Sequence, residues 1–139
     1  MKTVGYFEGT DPIILTELVA NGFGTLPLGN DWDGYGKNAS HLEPNTVDLI
    51  IGHLHKIVPP SRPTIEKEIP YMKMGIGRYR GLDPLELLYP AKAYDIPVLI
   101  IAPAKYHKEA EDALGEAKSF VTLVSPENLE AKIREILEF

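Results

Sequence analysis

The densest group of residues able to do chemistry lies between positions 73 and 81, where Lys73, Arg78 and Arg80 alternate with Gly75, Gly77 and Gly81. Glycines let a backbone approach a ligand closely, and guanidinium groups pair bidentately with phosphate or carboxylate. Gly75, Gly77, Arg78 and Arg80 are therefore candidate residues for binding an anion. The stretch matches neither the dinucleotide fingerprint nor the phosphate loop, which ends in Gly-Lys-Ser/Thr. The competing reading is a surface turn carrying solvated arginines.

A second group runs through Asp31, Trp32, Asp33, Gly34, Tyr35 and Gly36. Trp32 and Tyr35 can stack on a base or a sugar, and the aspartates offer oxygens to a hard cation. A calcium loop of the EF-hand type needs a glutamate at its twelfth position, and counting from Asp31 that position is Leu42. Calcium is set aside, and Trp32 and Tyr35 join the binding candidates. The alternative is a loop that covers the edge of a sheet.

Glu8 and Thr10 form the third group. Asp11 precedes Pro12 and is read as a helix cap. Glu8 can hold a ribose hydroxyl, or act as a general base if burial raises its pKa. His53 and His55 share a face on a strand but diverge on a helix. Read as helical they face solvent, and no metal is assigned. Tyr106 and His107 can reach the same opening as Glu8. None of Ser40, Ser61, Ser119 and Ser125 stands in a nucleophile elbow, and the chain has no Cys. No catalytic residue and no cofactor is assigned, and whether the chain is an enzyme is left open.

The 139 residues carry 14 Lys+Arg against 20 Asp+Glu, a formal charge of −6. That balance argues against nonspecific binding to nucleic acid or to an anionic membrane. Hydrophobic residues make up 44% and charged residues 24%, the composition of a folded domain and not of a disordered one. The length suits a single α/β domain over 1–139. No apolar run approaches the span of a bilayer, and Met1-Lys2 leads into a strand-like segment, so a cytoplasmic protein is expected.

Positioning these residues falls to a repeating unit: a β-rich run, then a polar residue and proline, then helical spacing. Thr3–Phe7 reads as the first strand. Asp11-Pro12 opens a helix bearing Ile14, Leu15, Leu18 and Val19, stopped by Asn21-Gly22. Phe23–Leu28 reads as a second strand. Asp83-Pro84 opens another helix with Leu85, Leu87, Leu88 and Ala91, which Pro90 must kink or end. Val98–Ile101 reads as a strand buried on both faces. A polar helix over Lys105–Leu114, a strand at Phe120–Val124 and a helix capped by Ser125 complete the chain, the last bearing Leu129, Ile133, Ile136 and Leu137.

The middle has two readings. Val47, Ile50, Ile51, Leu54, Ile57 and Val58 fit the helical period, with Ser40 and Glu43 as a capping box, which predicts a helix over 45–58 and a third strand at Ile69–Met74. Alternatively the third strand lies at 47–51. Either way, alternating strands and helices predict a three-layer α/β sandwich around a five-stranded parallel sheet, flavodoxin-like in order 2-1-3-4-5, or Rossmann-like.

Such sheets bind ligands beyond the carboxyl ends of their strands, where strand order reverses. The expectation is a domain that binds an anionic small molecule, a nucleotide or sugar phosphate, through Glu8, Thr10, Trp32, Tyr35, Gly75, Gly77, Arg78 and Arg80. The alternative is a non-catalytic regulatory or structural module that works by self-association or protein contacts, with the proline-rich segment 59–74 as an arm. A homo-oligomer is expected on general frequency.

Overall fold

The computed structural model describes residues 1–58 and 82–139. Its strands are β1 (Thr3–Phe7), β2 (Gly24–Gly29), β3 (Lys37–Asn38), β4 (Leu49–His53), β5 (Val98–Ile101) and β6 (Val121–Val124). The helices are α1 (Pro12–Ala20), α2 (Leu54–Ile57), α3 (Pro84–Leu87), α4 (Tyr89–Ala93), α5 (His107–Leu114) and α6 (Leu129–Leu137). All strand pairs are parallel, in the order β3-β2-β1-β4-β5-β6. This is an α/β sheet flanked by helices, the class that holds Rossmann-like and flavodoxin-like folds. The expected five strands become six among the described residues. The addition is β3, which pairs only Lys37 and Asn38 with Leu28 and Gly29 and is too short to leave a periodic signal.

Period-two alternation divides the core between the two faces of the sheet. On one face Phe7, Leu28, Ile50, Val98 and Ile100 pack with Ile57 of α2, Leu87 of α3, Ala91 of α4 and Leu114 of α5. On the other, Val4, Leu49, Ile51, Leu99 and Ile101 pack with Leu18 of α1 and with Leu129, Ile133 and Leu137 of α6. Every residue of β5 is buried, as a central parallel strand requires.

The helix expected over 45–58 is not formed. Leu49–His53 is a strand between β1 and β5, and only Leu54–Ile57 is helical. Helical spacing arose because Ile50 and Ile51 serve opposite faces of the sheet while Leu54 and Ile57 return as one turn of helix. A strand buried on both faces has no alternation to give it away. The strand expected at Ile69–Met74 lies outside the described residues. Ser40 caps no helix; its hydroxyl donates to Asn38 Oδ1 at 2.7 Å, and Asn38 caps the short 3₁₀ turn Ala39–His41.

Several local signals hold. Asp11 Oδ1 accepts from the Ile13 amide at 2.9 Å, and Asp83 Oδ1 from the Glu86 amide at 2.9 Å. The helix after Asp83 does break, at Leu88, because Pro90 has no N–H to donate back to Glu86. Ser125 opens the last helical segment, but its Oγ accepts from Asn128 Nδ2 at 2.9 Å and bonds no free helix amide.

Candidate functional site

Strand order reverses between β1 and β4, so the residues following Phe7 and His53 share the carboxyl rim of the sheet. After Phe7 the chain turns at once. Thr10 is buried, its Oγ1 donates to the Phe7 carbonyl at 2.8 Å, and its amide donates to the same oxygen at 3.3 Å. This doubly held turn keeps Gly9 at the rim and leaves the Glu8 side chain 48% exposed.

The His53 ring lies against that turn, its Cδ2 3.8 Å from where a Cβ on Gly9 would sit. Burial lowers its pKa first, the neighbouring His55 lowers it further, and a hydrogen bond to the Gly9 backbone partly opposes them. Lys56, one turn on, brings Nζ to 3.9 Å from Glu8 Oε1, with only 21% of its side chain exposed. At that separation the ion pair is loose, and such pairs contribute little to stability.

Asn30, buried at the end of β2, ties the next loop to this rim. Its Nδ2 donates to the Lys56 carbonyl at 2.8 Å, while its Oδ1 accepts from the Trp32 and Asp33 amides at 3.0 and 2.9 Å. Asp33 Oδ1 in turn accepts from the Tyr35 amide at 3.0 Å. Tyr35 meets Tyr6 edge to face with ring centroids 6.4 Å apart. The neighbouring Tyr6 phenol raises the pKa of Tyr35, and burial and the nearby Glu8 charge act in the same direction. Asp31 Oδ1 accepts from the Leu82 amide at 2.9 Å, which ties the start of the same loop to the residues leading into α3.

The structure thus gathers Glu8 and Tyr35 at one rim, with Thr10 beneath as the clasp of the turn and Trp32 half-buried in the adjoining loop. Gly75, Gly77, Arg78 and Arg80 lie outside the described residues. His53, Lys56 and Asn30 are the rim residues that sequence reasoning missed. For His53 and Lys56 the signal was the strand alternative for 47–51, which would have placed them just past a strand end, with His53 beside Gly9. His53 and His55 do not point apart as a helix would have them; they straddle the strand–helix junction with ring centroids 5.6 Å apart. Among the described residues no group of three or more His, Asp or Glu side chains is placed to hold a metal ion. His107 Nε2 donates to the Ala102 carbonyl at 2.8 Å and so closes the loop after β5.

The lowered pKa of His53 sets a pH dependence. An unfolded chain takes up this proton near the ordinary value of about 6.5, whereas the folded chain resists it. Between the two values the unfolded state binds more protons, so stability is full above about 6.5 and is lost as pH falls through the lowered value. The denaturation midpoint should therefore drop between about pH 7.5 and pH 5, and His53→Gln should flatten part of that slope. An unchanged slope in the variant would place the titration elsewhere.

No helix among the described residues is long and apolar enough to cross a membrane. Compared with family models, characterised proteins and solved structures, the chain matches none.

Proposed function

We propose that the chain is a flavodoxin-like cytoplasmic domain that binds an anionic small molecule, a nucleotide or a sugar phosphate, at the carboxyl rim between β1 and β4. The observation that carries this reading is Lys56, a lysine of an acidic chain with 21% of its side chain exposed, which stands at the point of strand reversal and, among the described residues, has only a loose pairing with Glu8. An incoming phosphate would gain a charge-assisted hydrogen bond from Lys56 that Glu8 does not fully use. Glu8 and Tyr35 would then face the hydroxyl-bearing part of the ligand, with Trp32 as an outer wall. Gly75, Gly77, Arg78 and Arg80 would add to the anion's cradle.

Thermal shift with inorganic phosphate, ribose 5-phosphate and adenosine monophosphate tests this. A phosphate-bearing compound at about a hundredfold over its Kd should add about 2.7 kcal/mol. Lys56→Ala should weaken it roughly tenfold, the worth of one charged hydrogen bond, and Arg78→Ala/Arg80→Ala tests the glycine-bearing stretch separately. Absence of a shift with every anion would remove the reading.

Self-association is the second reading, and α1 favours it. Ile13 is 70% and Val19 58% exposed, so the helix presents apolar side chains outward as well as to the sheet. A dimer at micromolar concentration that Val19→Glu dissociates would support it, and a monomeric sedimentation mass would exclude it.

A further inference from the structure

One strand along the rim from Lys56, a groove of about 670 Å³ opens between α2 and α5 at the carboxyl end of β5. That volume is within the range of small-molecule sites. Leu54, Val58, Ile101, Ala102, Ala110 and Ala113 make most of its wall apolar. Small residues on α5 keep one side of it flat, and the rings of His55 and Tyr106 stand at its edge, Tyr106 being 49% exposed. The polar groups are unevenly placed. His53 belongs both to this groove and to the β1–β4 rim, while Glu109 of α5 is the groove's acidic residue among the described ones.

We propose that the groove takes a planar, amino-bearing ring of the same ligand whose anionic end lies at Lys56, which makes the ligand class a nucleoside monophosphate with an amino base. The inference rests on the anion reading above. Flat apolar walls with aromatic edges suit a heterocycle, because a base presents a π-face that stacks on such rings whatever its sequence identity. The charges fix its direction. Glu109, when ionised, can only accept hydrogen bonds, so it favours an exocyclic amino group and repels a phosphate. The Lys56 ammonium favours the phosphate at the opposite end.

Titration calorimetry on the full chain with adenosine monophosphate, inosine monophosphate, ribose 5-phosphate and adenosine tests the assignment. Adenosine monophosphate should bind at least about tenfold more tightly than ribose 5-phosphate, the worth of one stacked base, and several-fold more tightly than inosine monophosphate. Ala113→Trp, at an exposed helix position, should fill the groove and lower adenosine monophosphate to the affinity of ribose 5-phosphate, leaving the latter unchanged. Glu109→Ala should abolish the preference over inosine monophosphate without occupying the groove, a second variant should the tryptophan disturb folding. Equal affinity for adenosine monophosphate and ribose 5-phosphate would overturn the groove assignment and leave the anion reading standing. Adenosine bound as tightly as its monophosphate, with ribose 5-phosphate silent, would uphold the ring in the groove and overturn the anion reading. Silence of all four compounds would overturn both.

Discussion

Gly29→Ala should destabilise the protein by on the order of 4 kcal/mol and lower Tm by more than about 10 °C. Gly29 ends β2 beneath the returning loop, and a Cβ there would overlap the Tyr35 carbonyl oxygen and stand 2.7 Å from its carbon. The obstacle is backbone, so no rotamer change relieves it. Either the loop lifts away, or β2 gives up its pairing with β3 at Leu28 and Gly29. Lifting the loop breaks the Asp33–Tyr35 hydrogen bond and strains the Asn30 contacts that bind this loop to Lys56. Gly34, in the same loop, separates two kinds of cost. It has φ of +66° but no atom within 4 Å of a would-be Cβ. Gly34→Ala should therefore cost only the left-handed backbone penalty of about 1–2 kcal/mol. Paired denaturant titrations decide the matter. If the two variants lose equal stability, the close packing of the loop on β2 is not what requires glycine at position 29.

The outer parts of this fold were legible because each carries a local physical signal. Asp11 and Asp83 announce helix starts through short side chains before proline, and Val98–Ile101 announces a two-sided strand by being uniformly apolar. The centre was not legible, because the apolar run Leu49–Ile51 is short and continues through Gly52 and His53 straight into a turn of helix, and the composite imitates one amphipathic period. That single misreading hid the site. With 45–58 taken as helical, His53 and His55 face water and Lys56 is one more surface cation. As the end of β4 and the turn of α2 that follows it, the same residues stand on the rim, with His53 against Gly9. Glu8 and Tyr35 stand out as candidates in the sequence because one follows an evident strand and the other lies in an aromatic loop, and the structure brings the two together. Asn30 was passed over because three hydrogen bonds from one small polar side chain have no sequence signature.

The loop and the rim are one mechanical unit, and Asn30 makes them so. Its amide group spends its hydrogen bonds on both sides, one to the backbone of α2 at Lys56 and two to the loop that carries Trp32 and Tyr35. Movement of the loop is therefore felt at Lys56 through a buried polar contact, whose loss would leave an unsatisfied group. Binding at the rim and order in the loop should rise and fall together. If the rim binds an anion as proposed, Gly29→Ala should for this reason also weaken phosphate binding, although Gly29 stands apart from Lys56 and acts through the loop.

Phe7→Ala is expected to cost about 3–5 kcal/mol, the range for removing a buried aromatic side chain. Phe7 is fully buried as the last residue of β1. Its Cδ1 is 2.9 Å from where a Cβ on Gly52 would lie, and Ile57 Cδ1 is 3.2 Å from the same point. The ring thus fills the space left by the glycine of β4, next to the two rim segments that begin at Glu8 and His53. Gly52→Ala attacks this arrangement from the other side, by overpacking, at about 1–3 kcal/mol. If the ring and the glycine are matched, the two changes must compensate. The added methyl of Gly52→Ala enters the void left by Phe7→Ala, and the double variant should lose at least about 1 kcal/mol less than the sum of the singles. Additive losses would mean that the neighbouring strands repack independently. Compensation in stability need not restore binding, however. The methyl group refills only part of the space the ring occupies beside Ile57, so on the anion-binding proposal the double variant should regain stability relative to the summed losses yet bind phosphate no more tightly than Phe7→Ala.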